Sequence, residues 1–424
     1  MKKSVVCRVA VALGFAALNA GGAAQSPTQQ TLAVAAAANS TPSLAAVGPY
    51  VAAVWTGTAN GAANVYFAMS TNGGATFSPP RRVNEQDGDA GATNEQPPRV
   101  AISGSGITRT FTVLWSQRDP GPQDTRRDII RMARSTDGGR TFSPARVTHD
   151  PAFSGARGWQ SIAVDTSGVA HAVWLDGRQA GSKIAAMAQK GTPHKGQPPQ
   201  EVYHGVLTRD GRMVETRIAE DVCFCCKTSV AVDHRGRVYA AWRHIFPGSM
   251  RDIAFATSTD GGNTFSPLVR VSEDNWQLNG CPEDGPSLAV DPSGIVHIAW
   301  ATVVNDGDEP RKALFYATSR DGKVFTSRTP VATDRMSTPG HPQLALTSNG
   351  GAIVFDEAIG STRRVSLARV TRSGQVQAPE VLSGDESATH PVITETAAGG
   401  VLVAWTSRSN SPSSLSTIRL RQVR

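Results

Sequence analysis

Nine residues, Ser258-Thr-Asp-Gly-Gly-Asn-Thr-Phe-Ser266, constrain this chain more than any other stretch, because they return almost letter for letter at 70–78 and 135–143. Worn copies stand at Ser319-Arg-Asp-Gly322, Thr208-Arg-Asp-Gly211 and Thr371-Arg-Ser-Gly374. The chemistry of the nonapeptide is that of a turn. An Asp or Asn side chain bonds backbone amides of its own turn, and the glycines take dihedrals closed to other residues. Short apolar runs flank it, such as 253–257 before and 267–271 after, and its Phe is expected to return to the core. A chain that repeats such a hairpin along most of its length folds as repeated antiparallel sheet.

A second landmark runs in step with the first. An apolar segment, a turn and a second apolar segment end in an aromatic at Trp55, Trp115, Trp174, Trp242, Trp300, Phe355 and Trp405. These aromatics are 50 to 68 residues apart, the length of one four-stranded propeller blade. Turns such as Asp165-Thr-Ser-Gly168 and Asp291-Pro-Ser-Gly294 join the two strands. Seven copies predict an all-β, seven-bladed β-propeller of four-stranded blades, with a six-bladed ring as the alternative. The last unit, 392–423, supplies only three strands, and the N-terminal segment Thr31-Leu-Ala-Val-Ala35 is expected to add the outer strand that closes the ring. The landmark tryptophans read as core. A Gly/Pro/Lys-rich insertion at 191–199 reads as an exposed loop.

The nonapeptide resembles the Asp box, or BNR repeat, of the sialidase superfamily and related β-propellers, and its full and worn copies run from 70 to 374. The resemblance implies that Asp boxes and inner-strand turns share one face of the ring, and that ligands bind on the opposite, rim face. Typical sialidases have six blades, so seven is a departure.

Residues 1–24 read as a secretory signal peptide: Met1-Lys-Lys, an apolar run from 5 to 18 broken by Arg8, and small residues before a cut near Ala24. The remainder, 25–424, is read as one propeller domain. No later stretch approaches the roughly 20 apolar residues of a membrane span, so the mature protein is expected to be secreted or periplasmic. The formal charge of +7 falls to +4 once the three cations Lys2, Lys3 and Arg8 leave with the leader. The remaining Lys and Arg are scattered, which argues against nucleic acid as a partner. A monomer that receives a small molecule, glycan or protein on its open face is expected.

Two lead-in loops of successive units hold every cysteine of the mature chain: Cys223, Cys225 and Cys226 in one, Cys281 in the next. Two readings stand. In one, Cys223 closes on Cys226 and Cys225 bridges to Cys281, as an oxidising compartment allows. In the other, the three thiols, Cys281 and His244 hold a soft ion, copper or zinc. Trp276, in the second loop, is placed to stack on a sugar, cover the cysteines or pack the loop. Arg178, Arg251 and His341 are expected on the same face as ligand contacts. His341 and His390 both precede a proline where a unit begins.

Sialidase chemistry, as the resemblance implies it, needs three arginines to clamp a carboxylate, a Tyr nucleophile activated by a Glu, and an Asp acid/base. The chain departs from that set. Where the family opens its first unit with R-I-P, this sequence reads Ser40-Thr-Pro-Ser43. Of five tyrosines only Tyr203 is placed to reach the rim face, and it comes too early for the family's nucleophile. The expected function is binding of a ligand, partner or metal on the cysteine-bearing face rather than family-type sialidase catalysis. The alternative is an exo-α-sialidase-like glycoside hydrolase with a rearranged site, in which Asp176, Asp356 and Glu357 do acid/base work.

Overall fold

The computed structural model describes residues 1, 29–91, 93–104, 109–118, 128–149, 155–189, 200–208, 212–278, 280, 282–305, 309–331, 333–411 and 413–424. The expected leader, the insertion at 191–199 and Cys281 lie outside the described residues.

Seven four-stranded antiparallel sheets form the fold. The first blade is Ala38–Val47, Tyr50–Ala59, Ala62–Ser70 and Arg81–Arg82, each strand paired to the next. Blades two to six repeat that order over 99–147, 157–222, 229–270, 287–331 and 338–381. The seventh has three strands from the C-terminus, Ser387–Glu395, Val401–Arg408 and Thr417–Val423, and takes its outer strand, Gln29–Leu32, from the N-terminus. Gln29 lies opposite Arg421 and Leu32 opposite Ile418, so the two ends of the chain close the ring by backbone hydrogen bonds. The closing strand is shifted toward the N-terminus of the expected 31–35, because the chain turns at Ala36, whose φ is 56°. The innermost strands of successive blades contact one another all the way round, the first against the seventh included. They surround a common axis.

The core lies in the wedges between blades. Phe67 of the first blade packs with Val100, Phe111 and Trp115 of the second, and the same mixing recurs around the ring. Six landmark tryptophans are fully buried. At about 200 Å² each and about 25 cal/mol per Å², burial of each contributes on the order of 5 kcal/mol as an upper bound.

The Asp box proves to be an inter-blade joint as well as a turn. Asp260 accepts from the Ser258 hydroxyl at 2.7 Å, the Thr264 amide at 3.0 Å and the Thr264 hydroxyl at 2.6 Å. Asp137 repeats the pattern with Ser135 and Thr141. These donors hold both carboxyls below the usual carboxylate range, the Thr264 and Thr141 bonds contributing most. The second glycine of each box faces the preceding blade. A Cβ on Gly139 would fall 2.3 Å from the Phe67 ring, and one on Gly262 would fall 1.9 Å from the His204 ring. The Phe of the box follows it: Phe142 meets Phe67 edge-on at 5.2 Å, and Phe265 meets His204 at 5.3 Å.

One helix, Ala180–Gln189, interrupts blade three and was not foreseen from the sequence. Its Ala-rich stretch has high helix propensity, and Lys183 ties it to Glu201 and Glu220 of the blade. Among the described residues no helix is long and apolar enough to cross a membrane.

Candidate functional site at the rim end of the axis

The innermost strand of several blades begins with a β-bulge. The register breaks between Ser40 and Ser43, Gly158 and Ser161, Gly340 and Gln343, and Thr389 and Val392. In each break sits a non-glycine residue in the left-handed region: Thr41, Trp159, His341 and His390, with φ between 51° and 54°. Such a residue is strained and is held only by its surroundings. The braces are visible. The Thr41 amide donates to Thr406 Oγ1 at 2.9 Å, that of His341 to Asp284 Oδ1 at 2.7 Å, and that of His390 to Asp356 Oδ2 at 2.7 Å. The corresponding position in the remaining blades is Pro97, Lys227 and Gly285. Thr41, Pro97, Lys227, His341 and His390 line one narrow cavity of about 20 Å³, the neck of the axial channel.

Four blades meet at that neck through Glu95. Its Oε1 lies 2.9 Å from His390 Nε2 and 3.2 Å from His341 Nε2, and its Oε2 receives Lys227 Nζ at 2.5 Å. The two imidazoles stack with centroids 4.2 Å apart. His341 is fixed from behind, its Nδ1 2.9 Å from Asp356 Oδ2, and Asp356 also pairs with Arg363. Burial alone would raise the Glu95 carboxyl; the bonds from both imidazoles and the Lys227 charge overcome it and hold the group ionised. Burial also opposes a cation on His341, yet the Asp356 and Glu95 carboxylates raise it to about 9. His390 is lowered by burial, and the neighbouring His341 charge adds to that effect. At neutral pH one ring of the stack is an imidazolium and the other is neutral.

Beside the neck a cavity of about 210 Å³ opens, lined by Thr93, Glu95, Gln96, Arg118, Asp128, Trp159 and Glu283 among others. Thr93 Oγ1, Gln96 Oε1 and Trp159 Nε1 are buried with no hydrogen-bond partner among the described residues. Unpaired buried polar atoms are uncommon and mark places where something else supplies the bond. A wider hollow of about 1010 Å³ lies among the inner-strand turns at the other end. Two of its carboxylates are used locally: Asp233 accepts from the Arg235 amide and Asp291 from the Ser293 amide.

The residues singled out by sequence fall into different surroundings. Asp176 is fully buried and pairs with Arg157 at 3.1 Å and Arg178 at 2.6 Å. Arg178 pairs again with Glu215 at 2.6 Å and lies over the Tyr203 ring. Glu357 is buried against Arg364 and the Ser366 hydroxyl. Asp356 and His341 belong to the axial cluster. Arg251 is buried and donates to the Leu278 carbonyl, and Trp276 is half-buried, its ring 5.0 Å from the Arg243 guanidinium carbon. Arg243 itself is spent on three backbone carbonyls, of Asp284, Arg251 and Ala301.

The cysteine loop is buried. Cys223 and Cys226 are free thiols with Sγ atoms 3.5 Å apart, so the bridge expected between them is not formed. Cys225 is disulfide-bonded to a partner outside the described residues. Its Sγ and those of the two thiols lie within 4.8 Å of one another, and His244 is not in that group but packs edge-on against Phe246. The Cys226 thiol donates to Cys223 and, with Arg243 and Arg251 nearby, lowers it to about 6, while burial raises Cys226. The two loops do adjoin: a Cβ on Gly285 would fall 1.9 Å from the Lys227 carbonyl oxygen.

Glu95 and the role of His390 were missed from sequence. Glu95 sits in a lead-in loop with no repeating pattern, Thr93-Asn-Glu-Gln-Pro97. Aligning the residue three before the apolar pairs Leu44-Ala45, Val230-Ala231, Leu288-Ala289 and Leu344-Ala345 would have picked out the axial bulge position, because the flanks repeat while that position varies.

No family model matches the sequence, and no curated protein matches it. Solved structures do share its fold. A protein of unknown function from Dyadobacter fermentans DSM 18053 aligns over 93% of this chain and 98% of its own, with 12% identity and a TM-score of 0.53. The α-L-arabinanase of Penicillium chrysogenum, complexed with arabinobiose, aligns over 93% and 99%, with 12% identity and a TM-score of 0.51. The intramolecular trans-sialidase of Ruminococcus gnavus aligns over 91% and 94%, with 13% identity and a TM-score of 0.45. The Dyadobacter protein and the Penicillium arabinanase are thus similar to this chain in fold. At these identities the likeness concerns the fold alone.

Proposed function

We propose that this chain is an exported propeller that binds a hydroxyl-rich ligand, one ring of a saccharide, in the rim-face cavity beside Glu95. The observation that carries the reading is the cavity itself, about 210 Å³ with Thr93, Gln96, Arg118, Asp128 and Trp159 in its wall. An indole in the wall suits the face of a sugar ring. A volume of about 210 Å³ suits one small ring better than a drug-sized ligand. Export rests on the leader-like start of the sequence.

Binding is favoured over sialidase catalysis by the state of the arginines. Arg178, Arg363 and Arg364 are each paired to a buried carboxylate, and Arg251 is tied to a backbone carbonyl. A substrate carboxylate would have to displace those partners. Burial raises the Tyr203 hydroxyl, which opposes its use as a nucleophile.

Calorimetric titration of the mature protein with a panel of mono- and disaccharides, arabinobiose and sialyllactose included, tests the reading. Binding of at least one neutral saccharide is expected, weakened about tenfold in Gln96→Ala, the effect of about 1.4 kcal/mol from one lost hydrogen bond. Binding that ignores both Gln96→Ala and Thr93→Ala, or no binding at millimolar saccharide, would overturn it.

A further inference from the structure

The axial cluster has a geometry that ligand binding in the neighbouring cavity does not use. The Nε2 atoms of His341 and His390 converge on a single oxygen, Glu95 Oε1, at 3.2 and 2.9 Å. All three donor atoms lie within 4.8 Å of one another. Ligands at about 2.1 Å from a metal ion, the usual bond length to imidazole and carboxylate, sit about 3.0–3.4 Å apart along the edges of an octahedron or tetrahedron. The two nitrogen–oxygen separations already fall near that range. We propose that Glu95, His341 and His390 form a two-histidine, one-carboxylate site for a divalent first-row metal ion at the neck of the axial channel.

Three further features support the assignment. The first is the support behind the ligand: Asp356 holds Nδ1 of His341, which fixes the ring and directs Nε2 inward, the carboxylate–histidine arrangement common behind metal-bound imidazoles. The second is backbone strain. His341 and His390 both occupy left-handed bulge positions, at φ 51° and 52°, each braced by a buried carboxylate. Thr41 and Trp159 share this bulge conformation, so the strain belongs to the repeat; here it holds the backbone of both histidines in one fixed conformation at the neck. The third is size. The neck holds about 20 Å³, room for an ion or a single water but not for a sugar. Lys227 takes the other carboxylate oxygen, Oε2, and leaves Oε1 to the imidazoles. Its charge tempers the affinity for a cation without occupying the site. Imidazole and carboxylate donors select zinc, manganese or iron rather than the soft ions that thiolates prefer.

This inference does not depend on the saccharide reading, since an ion can bind with no ligand present. The mature protein, stripped with a chelator, is equilibrated separately with Zn²⁺ and Mn²⁺, freed of excess ion and assayed by elemental analysis. About one equivalent of at least one ion is expected. His390→Ala removes a ligand and should abolish retention. Asp356→Asn, which reaches the site through His341 Nδ1 and the His390 amide without being a ligand itself, should keep the stoichiometry while weakening affinity about 10- to 100-fold. The Cys223→Ser/Cys226→Ser double variant should bind as the parent does. Should His390→Ala fail to fold, X-ray absorption of the zinc-loaded parent answers instead, with a shell of nitrogen and oxygen expected. Uptake of neither ion, retention in a folded His390→Ala variant, or sulfur in the zinc shell would overturn the proposal.

Discussion

Two stacked histidine pairs stand among the described residues, and they could hardly differ more. His341 and His390 stack at 4.2 Å on the axis, with Glu95, Asp356 and Lys227 gathered around them. His171 and His204 stack at 5.3 Å inside blade three, joined by a 3.1 Å bond between ring nitrogens and packed against Phe265 of the next Asp box. The outer pair has one distant carboxylate, Asp165 at 3.8 Å. Burial lowers His171, and lowers His204 to about 3, so both rings stay neutral and serve as packing. Residue type is therefore no guide. Convergent carboxylates turn an imidazole pair into a chemical centre, and their absence leaves a joint.

The same substitution in both pairs gives the sharpest test. His341→Leu strips two buried carboxylates of a charged partner, and breaking a buried ion pair in this way typically costs about 3–5 kcal/mol. His204→Leu loses one neutral hydrogen bond and keeps an apolar filling of similar size, which should cost about 1–2 kcal/mol. Urea unfolding of the two variants measures the difference. Equal losses would mean that the axial cluster is no more than packing.

The joint has a test of its own. At Gly262, φ is 93° and an added Cβ would meet the His204 ring, so Gly262→Ala should cost about 2–4 kcal/mol from strain and displaced packing together. Gly261, at φ 73°, has nothing within 4 Å of the added atom, and Gly261→Ala should cost only about 1 kcal/mol. A thermal melt of each variant against the parent decides it. If the two alanines behave alike, the second glycine of the box is there for its dihedral and not for the neighbouring blade.

These two regions were not equally legible in the sequence. The joint was half visible, because Ser258, Asp260 and Gly262 satisfy one another within nine residues. Repetition of that local pattern, together with the landmark tryptophans, was enough to count seven blades and to supply the missing strand from the N-terminus. What the turn packs against was invisible, since Phe67 is some seventy residues from Gly139. The axial cluster is wholly non-local: Glu95, Lys227, His341 and His390 come from four blades, and each is isolated in sequence. Asp176 and Glu357 attracted attention as charges beside landmark aromatics. That is also where a propeller buries ion pairs to brace its strands, and charge alone could not separate the two uses.

The smallest predicted effect separates the pairs by pH, measured on chelator-treated protein. A single group changes stability by at most about 1.4 kcal/mol per pH unit. His341 is raised in the folded state to about 9, against about 6.5 unfolded. Its contribution is complete below about pH 6.5 and is lost as pH rises through about 9. His204 is lowered to about 3, so the unfolded chain binds its proton first, and stability present above about pH 6.5 is lost as pH falls from there toward 3. His171 and His390, also lowered, act in the same direction. Glu95 and Asp356 are held below their usual range and add to the loss only beneath about pH 4.5. Cys223, lowered to about 6 in the folded state, adds stability as pH rises across the window in which the His341 contribution is lost. The comparison is therefore made in a Cys223→Ser background, where the melting temperature should fall on both sides of neutrality for different reasons. His204→Leu should flatten the limb between pH 6.5 and 4.5 and leave the alkaline limb intact. His341→Leu should remove the alkaline limb near pH 9, and a limb that survives that substitution would show that the axial imidazolium is not its source.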